Sequence, residues 1–264
     1  MDMNLKGRTA LVTGSTGGIG YAAARELAKL GARVAINGRT AARADAAIAK
    51  LKAETGGDFV RAIGDLSNAK GAKDVIAALP DADILVNNAG IFEPKPFFDI
   101  PDEDWMRFFE TNVLSGVRLS RHYTPAMVKR GWGRVIFISS ESGVHIPAEM
   151  VHYGMTKTAQ LAVSRGLAES VAGTGVTVNA VLPGPTLSEG VEVFMRQMAA
   201  GVSNPDLQKM GRDFIAEHRS SSLLKRLASI EEVANMIAYV CSPASSATSG
   251  AALRCDGGVV RGIP

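Results

Sequence analysis

The sequence predicts an α/β fold, a doubly wound seven-stranded parallel sheet with helices on both faces. Short apolar runs alternate with helical patterns from the N-terminus onward, as in repeated βαβ units. Several of these runs are apolar nearly throughout, as expected of strands that are buried on both sides. A glycine-rich turn between the first apolar run and the first helical pattern completes the prediction.

Seven segments fit buried strands, and crossover helices between them favour the Rossmann-like strand order 3-2-1-4-5-6-7. In such a sheet, ligands bind at the carboxyl ends of the strands, where the winding reverses. The predicted strands are Thr9–Thr13, Arg33–Asn37, Phe59–Ile63, Ile84–Asn87, Arg134–Ile138, Val176–Leu182 and Ala251–Cys255.

Helical periodicity fills the intervals between these strands. Apolar stripes mark helices over Gly18–Leu30 and Ala41–Glu54, and Pro101 introduces one long helix over Asp102–Lys129. The one departure from regular alternation is a helical stretch from about 185 to 227, placed between the last two strands. We therefore expect residues 1–264 to form a single domain, with residues 185–227 as a helical substrate lid.

Composition excludes several classes of function. The 264 residues carry a formal net charge of +3, and the basic residues are dispersed, which argues against a nucleic-acid partner. No apolar run approaches the ~18 residues of a membrane span, and no signal peptide is evident. Two cysteines are too few for a disulfide framework or a zinc site, so no metal is expected. The expected location is the cytoplasm.

The turn after the first strand has the character of a phosphate-binding loop. Glycines allow a tight turn and close approach of the backbone to a diphosphate, and the amides of the following helix face the anion. The loop residues expected to bind a dinucleotide are Gly14, Ser15, Thr16, Gly18, Ile19 and Gly20.

The end of the second strand favours NADP over NAD as the cofactor. An acidic residue there would bind the ribose hydroxyls of NAD, but the chain has Gly38 and Arg39 instead. Arg39 can pair with the 2′-phosphate of NADP, or it can be an ordinary solvated arginine. Asp65 and Leu66, just after the third strand, are placed to meet the adenine ring, although Asp65 could equally cap a helix.

Tyr153 and Lys157 carry the clearest chemical signal. Their spacing places both side chains on one face of a helix, where an ammonium would lower the pKa of the phenol toward working pH. Such a phenol can act as a general acid or base. Ser140 ends an apolar strand and could hold the reacting oxygen by hydrogen bonds. The spacing alone also arises by chance, so the upstream glycine loop is what gives it weight.

Several motifs in this order resemble the short-chain dehydrogenase/reductase family, in its compact single-domain branch. The resemblance covers nearly the whole chain, although residues 154–156 depart from the serine and alanines usual there. It rests on the segment Thr13-Gly14-Ser15-Thr16-Gly17-Gly18-Ile19-Gly20, on Asn87-Asn88-Ala89-Gly90 and Pro183-Gly184, and on Asp65, Asn112, Ser140, Tyr153 and Lys157.

The resemblance implies NAD(P)-dependent oxidation or reduction of a small-molecule alcohol or carbonyl, in a homo-oligomer (tetramer or dimer). It makes Tyr153 the general acid/base, Ser140 the orienting group, and Lys157 both the tuner of Tyr153 and a ligand of the nicotinamide ribose. The remaining residues it implicates are Asn112, which would hold a water in a proton relay, and the cofactor contacts Asn88, Gly90, Thr186 and Ser188.

The substrate is left open. The predicted lid is rich in apolar residues that suit an apolar carbonyl substrate or merely pack two helices: Val193, Phe194, Met195, Met198, Leu207, Met210, Phe214 and Ile215. The residues Glu141, His145, Glu149 and His152 could line the pocket mouth, but as loop residues they are expected to be solvated. A non-redox lyase or epimerase, and a non-catalytic nucleotide sensor, remain the alternative functions.

Overall fold

The structure, a computed structural model, describes residues 2–199 and 205–263, except for the side chains of Phe194, Gln197 and Met198. Seven parallel strands form the central sheet: β1 (Thr9–Val12), β2 (Arg33–Gly38), β3 (Phe59–Ile63), β4 (Ile84–Asn87), β5 (Gly133–Ile138), β6 (Val176–Pro183) and β9 (Ala252–Cys255). Their order across the sheet is β3-β2-β1-β4-β5-β6-β9. The predicted strand order is confirmed, and the strand ends differ from prediction by one residue or none.

Helices cover both faces of the sheet because successive strand residues point to opposite sides. Ile136 and Ile138 of β5 enter one apolar cluster, and Val135 and Phe137 enter the other. The helices in the described residues are α1 (Gly18–Lys29), α2 (Ala41–Thr55), α3 (Ala69–Ala78), α4 (Asp102–Phe109), α5 (Ser115–Arg130), α6 (Val151–Ser170), α7 (Glu189–Met198), α8 (Leu207–His218) and α9 (Ile230–Cys241). None of them is long and apolar enough to cross a membrane.

The predicted long helix over Asp102–Lys129 is wrong in one respect. A π-helical turn over Glu110–Leu114 separates α4 from α5. Such turns widen the helix by one residue and are frequent at functional sites. This one contains Asn112, which is 1% exposed. Periodicity could not reveal it, because the apolar stripe continues through the turn.

A second, two-stranded parallel sheet brackets the segment from 185 to 227, which we call the insertion. β7 (Thr186–Leu187) pairs with β8 (Ala228–Ser229), so the two ends of the insertion are held together. Helices α7 and α8 lie between these strands, as predicted. Met195 and Ile215 are buried, whereas the predicted roles of Phe194 and Met198 fall on side chains outside the described residues.

Candidate active site

The loops after β1 and β4 meet at the carboxyl edge of the sheet and are cross-linked by hydrogen bonds. Thr13 Oγ1 accepts from the amides of Asn88 and Ala89, both at 2.8 Å. Asn88 Nδ2 in turn donates to the carbonyl oxygen of Thr13 at 2.8 Å. The predicted cofactor residue Asn88 therefore holds the shape of the cleft where the winding of the sheet reverses.

The glycine loop needs glycine at specific positions. Gly14 and Gly18 have φ angles of +60° and +56°, a region that side chains disfavour. A Cβ at Gly20 would lie 2.5 Å from Asn88 Nδ2, so only glycine fits this crossing. No side chain caps the N-terminus of α1 at Gly17. The first amides of α1 are consequently free to face an anion.

The other loop residues differ in how they could serve a cofactor. Ser15 is fully buried and turns inward: its amide donates to the carbonyl of Asn37 at 3.0 Å, and its hydroxyl donates to that of Val12 at 2.7 Å. Ser15 thus shapes the loop. Thr16 stands over Gly38, where a Cβ would lie 2.6 Å from its methyl group. Ile19 is only partly buried and packs against the core.

Asn37, a residue that the sequence did not single out, joins three strands beneath the cleft. Its Oδ1 accepts from the amide of Gly14 at 3.0 Å, and its Nδ2 donates to the carbonyl of Ala62 at 2.8 Å. Two residues on, Arg39 is exposed and makes no ion pair within the described part of the chain. A free guanidinium therefore stands at the end of β2.

The structure excludes one of the two roles considered for Asp65, which follows β3. Asp65 does not cap a helix: its Oδ1 accepts from the amide of Ser67 at 3.0 Å, in a local turn. The cap of α3 is Asn68, which accepts from the amide of Gly71. Leu66 is 4% exposed and packs in the core under the loop.

The start of the insertion closes over the glycine loop. Thr186 is buried and its hydroxyl donates to the carbonyl of Gly184 at 2.8 Å, while Ser188 caps α7. Glu189 places its carboxylate beside Gly17, with Oε2 only 2.6 Å from where a Cβ would be. The insertion therefore brings a negative charge to the same helix N-terminus that is open to an anion.

Tyr153 and Lys157 lie together near the N-terminal end of α6, as the spacing predicts. Lys157 Nζ is 5.5 Å from the centre of the Tyr153 ring. It donates to the carbonyl of Ile138 at 2.8 Å and to Gln160 Oε1 at 3.3 Å. Burial lowers the pKa of Lys157 to about 7. The amine is therefore poised between its two protonation states near neutral pH.

The expected lowering of the Tyr153 pKa is wrong for this structure. Burial raises the pKa of Tyr153, and the charge of Glu141 adds to that effect. The neighbouring Ser140 hydroxyl and the Arg219 guanidinium act in the opposite direction. Lys157 does not offset the burial, because its amine lies over the ring and is itself desolvated.

Asn112 ties the loop after β4 to α6. Its Oδ1 accepts from the amide of Ile91 at 2.8 Å, and its Nδ2 donates to Thr156 Oγ1 at 3.0 Å. Its carbonyl accepts from Gln160 Nε2 at 2.5 Å, so Gln160 connects Asn112 to Lys157. Gln160 was not found from the sequence; its position one turn beyond Lys157 was the available signal.

Gly90 lies where these groups converge. A Cβ at this position would lie 3.2 Å from Asn112 Oδ1 and 3.7 Å from Lys157 Nζ. The backbone after β4 therefore passes close to the Lys157 amine, as expected of a chain segment that leaves room for a cofactor above it.

Ser140 follows β5 and is tied to a buried carboxylate. Its Oγ donates to Glu141 Oε2 at 2.5 Å and accepts from the amide of Ser142 at 3.1 Å. Glu141 is only 3% exposed and pairs with Arg219, whose Nε lies 2.9 Å from Oε1. The expectation that Glu141 is solvated is wrong, because its cationic partner comes from a distant part of the chain.

His152 is also buried, contrary to expectation, whereas His145 and Glu149 are exposed as expected. The His152 ring is 4.1 Å from the ring of Phe108, and neither ring nitrogen has a hydrogen-bond partner in the described part of the chain. Burial lowers the pKa of His152. This imidazole belongs to the packing of α6 against α4.

Exposed apolar side chains, which we call the apolar rim, stand on the loop after β4 and on the loop that precedes α6. Phe92 is 50% exposed, and its ring centre is 6.4 Å from that of Tyr153. Val144 and Ile146 are similarly exposed on the loop that precedes α6. Nearby, a cavity of about 320 Å³ opens between this loop and the end of α8, lined by His145, His218, Arg219, Ser220, Ser221, Val259 and Arg261.

Comparison with known proteins assigns the family. The family model described as short chain dehydrogenase matches residues 8–198. The chain is 49% identical to the uncharacterized oxidoreductase YvaG of Bacillus subtilis, over all of both chains. It is 32% identical to the 3-oxoacyl-[acyl-carrier-protein] reductase FabG of Escherichia coli, over 97% of this chain and 99% of that one.

Among solved structures, L-sorbose reductase from Gluconobacter frateurii, complexed with NADPH and L-sorbose, superposes with a TM-score of 0.92. It shares 30% identity, and the match covers all of both chains. The chain therefore belongs to the short chain dehydrogenase family, and it is an oxidoreductase acting on CH–OH or C=O groups with NAD(P).

Proposed function

We propose that the protein catalyses NADPH-dependent reduction of a carbonyl to an alcohol, or the reverse oxidation, with Tyr153 as general acid/base. The observation that carries this proposal is the meeting of Tyr153, Ser140 and Lys157 at the carboxyl edge of the sheet, on the side where the first amides of α1 are open. A phenol, a hydroxyl and an amine converge there beside a dinucleotide cleft.

The residues present fit a bound NADP(H). The amides after Gly17 suit the diphosphate, and the free guanidinium of Arg39 suits a 2′-phosphate. Gly90 and Lys157 lie where the nicotinamide ribose would be held, with Thr186 and Ser188 closing from the insertion. When bound, the cofactor supplies or accepts the hydride. NADPH in the related L-sorbose reductase is consistent with this preference.

Proton delivery is assigned to Tyr153 Oη. Ser140 Oγ orients the reacting oxygen, and both hydroxyls stabilise negative charge as it develops there. Lys157, with a pKa of about 7, can release and take up a proton at its Nζ near neutral pH, and Gln160 holds this amine in place by bonding to both Nζ and the Asn112 carbonyl. The raised pKa of Tyr153 keeps its phenol protonated at neutral pH, which is the form that donates a proton in the reductive direction.

The apolar rim formed by Phe92, Val144 and Ile146 supports a substrate with an apolar flank beside its carbonyl. Related proteins act on compounds as different as L-sorbose and 3-oxoacyl chains, so the rim is the better guide to this chain's substrate. From family resemblance we also propose a cytoplasmic homo-oligomer, a tetramer or a dimer.

The test is a screen of NADPH consumption by absorbance, over ketones and aldehydes graded in polarity. We expect turnover on carbonyls with an apolar substituent and weaker turnover with NADH. Absence of NADPH oxidation over the whole panel, together with absence of NADP⁺ reduction by the matching alcohols, would contradict the proposal.

A further inference from the structure

Both carboxylate oxygens of Glu141 accept hydrogen bonds from the protein. One oxygen, Oε2, accepts from Ser140 Oγ at 2.5 Å, from the Ser142 amide at 2.6 Å and from Ser142 Oγ at 2.9 Å. The other, Oε1, accepts from Arg219 Nε at 2.9 Å. Three of these four bonds come from residues 140–142, so Glu141 is suited to holding that turn in place.

Arg219 reaches this turn from the insertion. It follows α8, is 6% exposed, and its Nη1 also donates to Glu149 Oε1 at 3.3 Å and to the carbonyl of His218 at 2.8 Å. The Glu141 carboxylate therefore holds both Ser140 and, through Arg219, the end of α8 in the insertion. Sequence separation between Glu141 and Arg219 is 78 residues, so the pair forms only when the insertion has docked.

A buried ion pair is a poor means of gaining stability, because desolvation of both charges offsets their attraction. Apolar residues of similar volume would fill the same space at least as well. The position of the pair is more informative than its contribution to stability, because Glu141 also bonds to Ser140, the serine beside Tyr153. A carboxylate that accepts three hydrogen bonds in one turn fixes the position of Ser140 Oγ, and the Ser140 hydroxyl exchanges its bond to Glu141 for one to an arriving oxygen.

We propose that Glu141 and Arg219 are positioning residues: Glu141 fixes Ser140 beside Tyr153, and Arg219 makes that geometry conditional on docking of the insertion. The proposal rests on the proposed function, since it assigns Ser140 to the reaction. Within the described part of the chain, the charged groups that face Tyr153 are Glu141 after β5, Arg219 after α8, and Lys157 on α6 itself. Glu141 and Arg219 act on the tyrosine with opposite sign.

Two matched double variants test the role of Glu141 without leaving a buried charge unpaired. Glu141→Leu with Arg219→Met removes the acceptor for Ser140; Glu141→Gln with Arg219→Met keeps an acceptor oxygen at the same place. We expect kcat of the leucine double variant to fall about 10²-fold, as for a displaced catalytic group, while the glutamine double variant retains most of it. The NADPH dissociation constant should be unchanged in both.

The single variant Arg219→Met tests the second part of the proposal, which is the role of Arg219. It leaves the Glu141 charge unopposed beside Tyr153, so the pH profile for alcohol oxidation should move to higher pH and kcat should fall. Glu149→Gln is the matched control, because it removes the other carboxylate on Arg219 without touching the serine turn. It should leave kcat within about threefold, as for an exposed ion pair.

Equal kcat in the two double variants, or an unchanged pH profile in Arg219→Met, would overturn the proposal. If instead the assignment of Ser140 and Tyr153 to the reaction is wrong, the result is different: Ser140→Ala and Tyr153→Phe would keep wild-type turnover. If those two variants are inactive and the leucine double variant is not, the reaction assignment stands and the positioning role falls.

Discussion

Replacing Lys157 by methionine should make the cofactor-free protein more stable at neutral pH while abolishing turnover. Lys157 is 5% exposed, and burial lowers the pKa of its amine from 10.5 to about 7. The unfolded chain therefore binds more protons than the folded one between about pH 7 and pH 10.5, and wild-type stability rises with pH across that window.

The magnitude follows from the two pKa values. At pH 7, protonation of Lys157 in the unfolded chain lowers the free energy of unfolding of the wild type by about 4 kcal/mol. At pH 9.5 the same protonation lowers it by about 1 kcal/mol. Methionine removes this cost but leaves the Ile138 carbonyl and Gln160 Oε1 without their donor, a loss of about 2 kcal/mol that does not depend on pH. The variant should thus be more stable than wild type by about 2 kcal/mol at pH 7 and less stable by about 1 kcal/mol at pH 9.5.

Urea unfolding of both proteins at the two pH values measures this difference. Other groups that titrate at alkaline pH are present in both chains and cancel in the comparison. A stability difference that stays constant from pH 7 to pH 9.5 would refute the lowered pKa of Lys157, and with it the idea that this amine releases and takes up a proton near neutral pH.

Three further predictions address the cofactor cleft and the packing behind it. Arg39→Ala should weaken NADPH binding about tenfold and leave NADH binding unchanged, because only NADPH has the 2′-phosphate; equal losses for both nucleotides in a fluorescence titration would remove the assignment. Glu189→Gln should tighten NADPH binding about threefold by removing a charge beside the diphosphate-binding amides, and weaker binding would mean that the carboxylate helps to close the cleft. His152→Leu should raise the melting temperature, since it removes a buried imidazole without hydrogen-bond partners. Because burial lowers the pKa of His152, wild-type stability should also fall as the pH drops below about 6.5, where the histidine is protonated in the unfolded chain but not in the folded one. The stability of the leucine variant should lack this part of the pH dependence.

The fold could be predicted almost completely from the sequence because its signals are local. Apolar runs fixed the seven strands, and glycines marked the turn after β1, where φ angles near +60° and a 2.5 Å crossing at Gly20 leave no room for other residues. The short sheet of β7 and β8 was missed, since two-residue strands carry no periodicity.

The chemistry of the site was harder to predict, because it depends on contacts between distant segments. Sequence spacing brought Tyr153 and Lys157 together, but it could not show that the Lys157 amine would be desolvated over the ring. The burial of Glu141 depends on Arg219, which no local pattern connects to it. Gln160 was overlooked because a glutamine on a helix gives no sign of what its amide will bridge.

The most direct test of proton delivery by Tyr153 is a single-turnover measurement with NADPH carrying deuterium on the transferred position. Wild-type protein mixed with an accepted ketone should give an alcohol with deuterium at the carbinol carbon. Tyr153→Phe should bind the nucleotide with unchanged affinity and form that product at least about 10²-fold more slowly. Deuterated alcohol formed by the phenylalanine variant at the wild-type rate would show that the phenol does not supply the proton.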